Sequence, residues 1–186
     1  MKVICRFLLK VFGWKIVGIT ELPKKCVLCV APHTSNVDLP LGLIIYKSIG
    51  KEASFLIKKD WFFFPMNLIF KVLGGIPVDR SKRTSLTEQV ADIFRQKDSF
   101  QLAITPEGTR KRNTEWKKGF YYIALAAQVP IVVVAFDYAK KEANFKKIIF
   151  PSGDIDSDFK EITACYIGVV GRNPEQFALN ADTETV

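Results

Sequence analysis

The chain has 186 residues, 48% of them hydrophobic and 25% charged, which suits one globular domain with a sizeable core and excludes a disordered chain. Lys plus Arg number 27 against 19 for Asp plus Glu, a net charge of +8. A chain this basic expects an anionic partner, and nucleic acid, an acidic membrane and a phosphorylated small molecule all qualify.

In chain order, residues 1–20 come first. Lys2, Arg6 and Lys10 recur every four residues and share one stripe of a helical wheel, and Val3, Ile4, Phe7, Leu8, Val11 and Trp14 fill the rest. That pattern is a basic amphipathic helix of the kind that lies in a membrane interface. The plain alternative is a helix packed on the domain with its charges solvated. The stretch is too short and too charged to span a bilayer, and no A-x-A cleavage pattern follows it.

Cys26 and Cys29 form a C-x-x-C within the apolar run 26–31. The run reads as a buried strand over 27–31 in which the cysteines act as small hydrophobes. One histidine and no second C-x-x-C leave a structural zinc site without ligands. Free thiols without an export signal favour a reducing, cytoplasmic compartment.

Helices are expected over 39–49, 62–73 (from Pro65 to the Gly74-Gly75 stop), 85–96 and 119–127, and strands over 53–57, 76–78, 101–105 and 131–136. Residues 146–150 and 162–165 read as edge strands, and the last dozen residues as a frayed acidic tail. Apolar strands between helices imply an α/β domain, a largely parallel sheet covered on both faces. The expected division is an interface helix over 1–20, an α/β domain over 21–175 and a tail over 176–186.

Three constellations carry chemistry. The first is Pro32-His-Thr-Ser-Asn-Val-Asp38, between a buried strand and a helix, at the strand end where open α/β sheets place ligands. His33 is the chain's single histidine. Asp38, five residues on, can fold back so that its carboxylate meets one ring nitrogen and leaves the other to take a proton from a hydroxyl. No G-x-S-x-G elbow exists. Ser35 is better placed to cap the helix than to act as a nucleophile, so the hydroxyl belongs to the substrate. The plain alternative is a helix N-terminus, with Ser35 or Asn36 as the cap and His33 incidental.

The second is Pro106-Glu-Gly-Thr-Arg110, which also follows a buried strand and so is expected to reach the same edge of the sheet. Gly108 permits a tight turn with exposed amides, Arg110 offers a planar fork suited to phosphate, and Glu107 orients that arginine or holds the turn. Lys111, Arg112, Lys117 and Lys118 raise the local positive potential. The third is Gly74-Gly-Ile-Pro-Val-Asp-Arg80, whose Arg80 leaves a short strand near the same rim, where a second arginine suits a phosphate dianion. Taken singly, these two also read as an ordinary basic loop and a helix C-cap followed by a surface arginine.

H-x4-D, then G-I-P-V-D-R, then P-E-G-T-R, then an apolar V-P-I-V segment, in this order from His33 to Val134, resembles the glycerolipid acyltransferase family, which contains the 1-acyl-glycerol-3-phosphate acyltransferases. The resemblance implies that His33 is the general base and Asp38 its partner. It implies that Glu107, Gly108, Thr109 and Arg110 form the acceptor-binding block, with Arg110 and Arg80 on the phosphate. Lys59 falls where the family often places a residue of its second block, and Lys117 resembles the basic position before a helix. The substrate-binding set is therefore Ser35, Lys59, Arg80, Glu107, Gly108, Thr109, Arg110 and Lys117.

The donor implied is an acyl thioester, on coenzyme A or acyl carrier protein, with no metal and no other cofactor. The partners are a lysolipid and an anionic membrane surface rather than nucleic acid, on the inner face of the membrane. The sequence departs from many relatives in the short segments flanking the blocks, which leaves another lysophospholipid or a lyso-aminolipid open as acceptor. A thioesterase, a non-catalytic lipid-binding module of the same fold and a nucleic-acid binder are the rival readings. The aromatics of Trp61-Phe-Phe-Phe-Pro65 either line an acyl pocket, dip into a bilayer or pack the core.

Overall fold

The computed structural model describes residues 1–78 and 86–179, apart from the side chains of Lys58 and Trp61. Arg80 and the tail beyond 179 lie outside the described residues.

The chain opens with α1 (Lys2–Phe12), which ends at Gly13 in the left-handed region (φ 75°). The helix expected over 1–20 therefore stops early. Residues 15–18, with β-branched Ile16 and Val17, form the edge strand β1 (Lys15–Gly18) instead. There follow β2 (Lys25–Ala31), α2 (Asp38–Ser48), β3 (Ser54–Lys58), α3 (Met66–Leu73), β4 (Gly75–Val78), α4 (Leu86–Gln96), β5 (Phe100–Ile104), α5 (Gly119–Ala127), β6 (Ile131–Asp137), β7 (Glu142–Ile149) and α6 (Ile155–Ala164).

The seven strands form one sheet in the order β1-β7-β6-β2-β5-β3-β4. All neighbours run parallel except the β6–β7 hairpin. Two of the expected edge strands differ. Residues 146–149 belong to β7, which is flanked by β1 and β6 rather than lying at an edge. Residues 162–164 close α6, where Asp154 caps the first turn by accepting from Ser157 N (3.2 Å) and Phe159, Ile162 and Thr163 turn inward. A four-residue apolar run does not by itself separate strand from helix.

Both sheet faces are covered, so the central strands are apolar throughout. On one face Val27, Cys29 and Ala31 of β2 pack with Val90 and Phe94 of α4, Phe120 and Ile123 of α5, and Phe159 and Ile162 of α6. On the other, Cys26 and Leu28 pack with Leu9 of α1 and with Leu41, Ile45 and Tyr46 of α2. Cys26 and Cys29, an odd number of residues apart on a strand, thus project to opposite faces, which rules out a disulfide between them. Both are buried free thiols, and burial pushes Cys26 up to about 12. No group of three or more His, Cys, Asp or Glu among the described residues is arranged to hold a metal ion.

α3 shares the face of α1 and α2. A Cβ on Gly75 would meet Ile57 Cδ1 at 2.9 Å and Phe70 Cβ at 3.2 Å, and Ile57 points away from Leu56, which packs toward α4. The C-terminal stretch is ordered further than the sequence suggests. Phe177 packs on Trp116 (ring centroids 6.2 Å apart), and Ala178 is buried with its carbonyl accepting from Trp116 Nε1 (3.0 Å).

Candidate active site

The neighbouring strands β2 and β5 run parallel, with Cys29 in register with Ile104. Their carboxyl ends therefore lie side by side, and the loops that leave them, 32–37 and 105–118, meet at one rim. The backbone N–H of His33 donates to Glu107 Oε1 at 2.7 Å, across 74 residues of sequence. This bond holds the two loops together directly beneath the histidine.

Asp38 opens α2 and folds back over the loop. Its Oδ2 accepts from the backbone N–H groups of Thr34 (2.9 Å) and Ser35 (2.8 Å) and lies 3.2 Å from His33 Nδ1. The ring N–H is not aligned along that last approach, so the pair is a close electrostatic contact rather than a full hydrogen bond. Asp38 Oδ1 accepts from the Tyr138 hydroxyl. Burial works to raise the Asp38 pKa, but the contacts from His33, Tyr138 and Ser35 outweigh it and hold the carboxyl below the usual range. The carboxylate is thereby kept ionised beside the imidazole. Nδ1 is buried while the His33 side chain keeps 23% exposure, so its accessible edge carries Nε2.

Ser35 does not cap the helix as its sequence position suggests. The N-cap is Val37, without a side-chain cap bond, because Asp38 itself collects the loop N–H groups. Ser35 Oγ accepts from Val37 N (3.2 Å) and stiffens the same turn.

Glu107 is buried beneath the rim. Its Oε1 serves His33, and its Oε2 is buried without a hydrogen-bond partner. Burial raises its pKa to about 7, against the opposing pull of the His33 N–H. Its side chain ties this loop to the loop after β2, and among the described residues it makes no bond to a guanidinium. Gly108 takes a φ of 65°, and a Cβ there would sit 3.0 Å from Lys117 Cγ. Asn113 secures the loop by donating from Nδ2 to the carbonyls of Glu107 (2.9 Å) and Glu115 (2.8 Å).

A cavity of about 1080 Å³ opens at this rim. His33, Asp38, Thr109, Arg110 and Lys117 line its polar end. Leu28, Val30, Gly42, Ile45, Phe136 and Phe145 are among its apolar lining residues. A cavity with both basic and apolar lining suits an amphiphile. Lys59 lies in a short turn after β3 and Ser35 lies in the loop, both outside this lining.

Three site residues escape a reading of the sequence. Tyr138, at the β6–β7 turn, reaches Asp38 across 100 residues. Asn173 donates from its backbone N–H to Thr34 Oγ1 (3.1 Å) and from Nδ2 to Thr34 O (2.7 Å). Gln176, in the amide orientation that satisfies both its ends, donates to Thr34 O (3.0 Å) and Arg110 O (2.7 Å). The segment 171–176 thus straps the two loops together. No local spacing signals any of the three.

A profile of the family described as Acyltransferase matches residues 14–137. The chain is 30% identical over 138 residues to the human protein named 1-acyl-sn-glycerol-3-phosphate acyltransferase beta, covering 71% of this chain and 48% of that one. It is 36% identical over 132 residues to a Mycoplasma pneumoniae protein named probable 1-acyl-sn-glycerol-3-phosphate acyltransferase, covering 63% and 46%. The chain thus spans about half the length of these curated relatives. The crystal structure of the 1-acyl-sn-glycerophosphate acyltransferase of Thermotoga maritima shares the fold, with a TM-score of 0.54 at 18% identity over 82% of this chain and 68% of that one.

Proposed function

Since the chain belongs to the acyltransferase family, we propose that it transfers a fatty acyl group from an acyl thioester to the hydroxyl of a lysophospholipid such as 1-acyl-glycerol-3-phosphate. The observation that carries this reading is the His33–Asp38 contact of 3.2 Å at the mouth of an apolar cavity whose rim also holds Arg110 and Lys117. His33 Nε2 takes the proton of the acceptor hydroxyl as its oxygen attacks the thioester carbonyl. The new C–O ester bond forms, the C–S bond breaks, and the departing thiolate recovers the proton from His33. Asp38 stabilises the imidazolium that forms between the two steps. Arg110 binds the acceptor's phosphate, with Arg80 as its expected partner. The donor is carried on coenzyme A or acyl carrier protein, and the residues named here supply the chemistry without a metal.

A lipid acceptor implies work at an anionic membrane surface, on its inner face. α1 suits that role. It packs inward through Cys5 and Leu9, while Val3 (79% exposed), Ile4, Phe7 (64%) and Val11 face outward on the opposite side. Among the described residues no helix is long and apolar enough to cross a membrane. The helix therefore both packs on the domain and presents an apolar face, flanked by Lys10. α3, on the same sheet face, exposes Leu68, Ile69 and Val72, with Phe63 and Phe64 just before it.

Mass spectrometry of products after incubation with an acyl thioester and a panel of lysolipids tests the reading. An acylated lysolipid, absent with His33→Ala, is the expected result. Thiol release without any lipid product would make the protein a thioesterase. Lipid binding with no turnover of any donor would make it a lipid-binding module.

A further inference from the structure

The His33–Asp38 contact leaves one question of geometry: what fixes the carboxylate. Oδ2 is held by two backbone N–H groups of its own loop. Those bonds anchor one oxygen and let the group swing about it. Among the described residues the second oxygen has one donor, the hydroxyl of Tyr138.

Tyr138 is itself held from two sides. Its backbone N–H donates to Val170 O at 2.8 Å. The Trp14 ring meets its ring edge-on, with centroids 5.0 Å apart and planes at 88°. Trp14 also packs against Phe136 at 6.4 Å, and its backbone N–H closes the end of α1 on Leu9 O (2.8 Å). The tyrosine is therefore pinned between the end of the N-terminal helix and the strap from the C-terminal segment, with its hydroxyl delivered to the dyad.

We infer that Tyr138 is a positioning residue for the dyad, fixing the plane of the Asp38 carboxylate and tempering the negative charge it offers to His33. The inference rests on the proposed role of His33 as the general base. A hydroxyl donated to Oδ1 draws charge toward itself, so its removal leaves more on the oxygen that faces the imidazole. Among the described residues the other ionisable groups around the pair are Glu107, bonded to the His33 backbone, and Arg172, which acts on Tyr138 by charge and by a side-chain hydrogen bond. Both remain in place in a Tyr138→Phe variant. That variant also keeps the ring against Trp14.

The expected result for Tyr138→Phe is a fall in kcat on the order of tenfold, the scale of one hydrogen bond to a charged group. KM for donor and acceptor stays unchanged, because Tyr138 does not line the cavity.

His33 is the chain's single histidine. Its Cε1 proton therefore gives one assignable NMR resonance, readable without substrate. In Tyr138→Phe that resonance moves from its place in the unaltered chain, because the carboxylate facing the ring is reoriented. His33→Ala separates the dyad reading from the role of Tyr138. If His33→Ala keeps full activity, the dyad reading fails. If His33→Ala is inactive while Tyr138→Phe shows the parent kcat and an unmoved resonance, the assignment of Tyr138 is overturned. A Tyr138→Phe that only lowers Tm, with kcat and resonance in place, overturns it as well, because a purely structural tyrosine does that.

Discussion

Two short motifs sit on one strand and its exit, and they meet opposite fates. Cys26-x-x-Cys29 lies inside β2, where each step of the strand flips the side chain to the other face. The two thiols end up in separate cores. His33 and Asp38 lie just beyond the strand, where the chain turns and the loop N–H groups pull the carboxylate back over the ring. Spacing alone promises a pair in both cases. The backbone conformation between the residues decides which promise is kept: an extended chain separates i and i+3, and a turn into a helix gathers i and i+5.

The sharpest way to break that comparison is His33→Ala beside Cys29→Ala. Removing a general base costs on the order of 10²–10⁴-fold in kcat, while the folded structure is expected to persist. Steady-state kinetics and a thermal melt of both variants check this. Comparable activity of His33→Ala and the parent would erase the distinction.

Glu107 supplies the next largest effect. Its pKa rises from an ordinary 4.5 to about 7 on folding, so between those values the native state binds the proton more readily than the unfolded chain. The stability from this group is fully present below pH 4.5 and is lost as pH rises through 7. The shift is worth on the order of 3 kcal/mol at full extent. Glu107→Gln keeps an oxygen for the His33 N–H and removes the titration. Its Tm profile across pH 5–8 is expected to be flatter than the parent's, and equal slopes would mean that Glu107 does not titrate there.

Arg110→Ala probes the same rim from the substrate side. The expected outcome is a rise of roughly tenfold or more in the acceptor's KM, as for a lost charged hydrogen bond, with a smaller change in kcat. An unchanged KM would take Arg110 off the phosphate. Smallest is Cys29→Ala, expected to cost about 1 kcal/mol of stability through lost packing. kcat should remain at the parent level. A larger loss of activity than of stability there would show that the strand interior is not as inert as its geometry implies.

Much of the fold is legible in the residues themselves. Apolar runs bounded by Pro and Gly mark β2, β5, β6 and α5, because a strand buried on both faces has no polar position to disguise it. What fails is short or ambiguous. Residues 162–165 carry too few positions to show a period, and 15–18 are hidden within a helix-like pattern that Gly13 cuts. The candidate site divides in the same way. His33, Asp38, Glu107 and Arg110 announce themselves by residue type at strand ends. Tyr138, Asn173 and Gln176 are ordinary residues whose importance lies wholly in what they touch.

The sequence by itself determined the candidate reacting groups, the parallel α/β class and the family, since these rest on residue identity, on local periodicity and on the order of short blocks. Only the tertiary structure decided that Glu107 supports His33 from below and that Tyr138 closes on Asp38. Those contacts span 74 and 100 residues. They follow from parallel strand pairing and from the burial of both sheet faces, forces that act between segments and leave no mark in the spacing of either one.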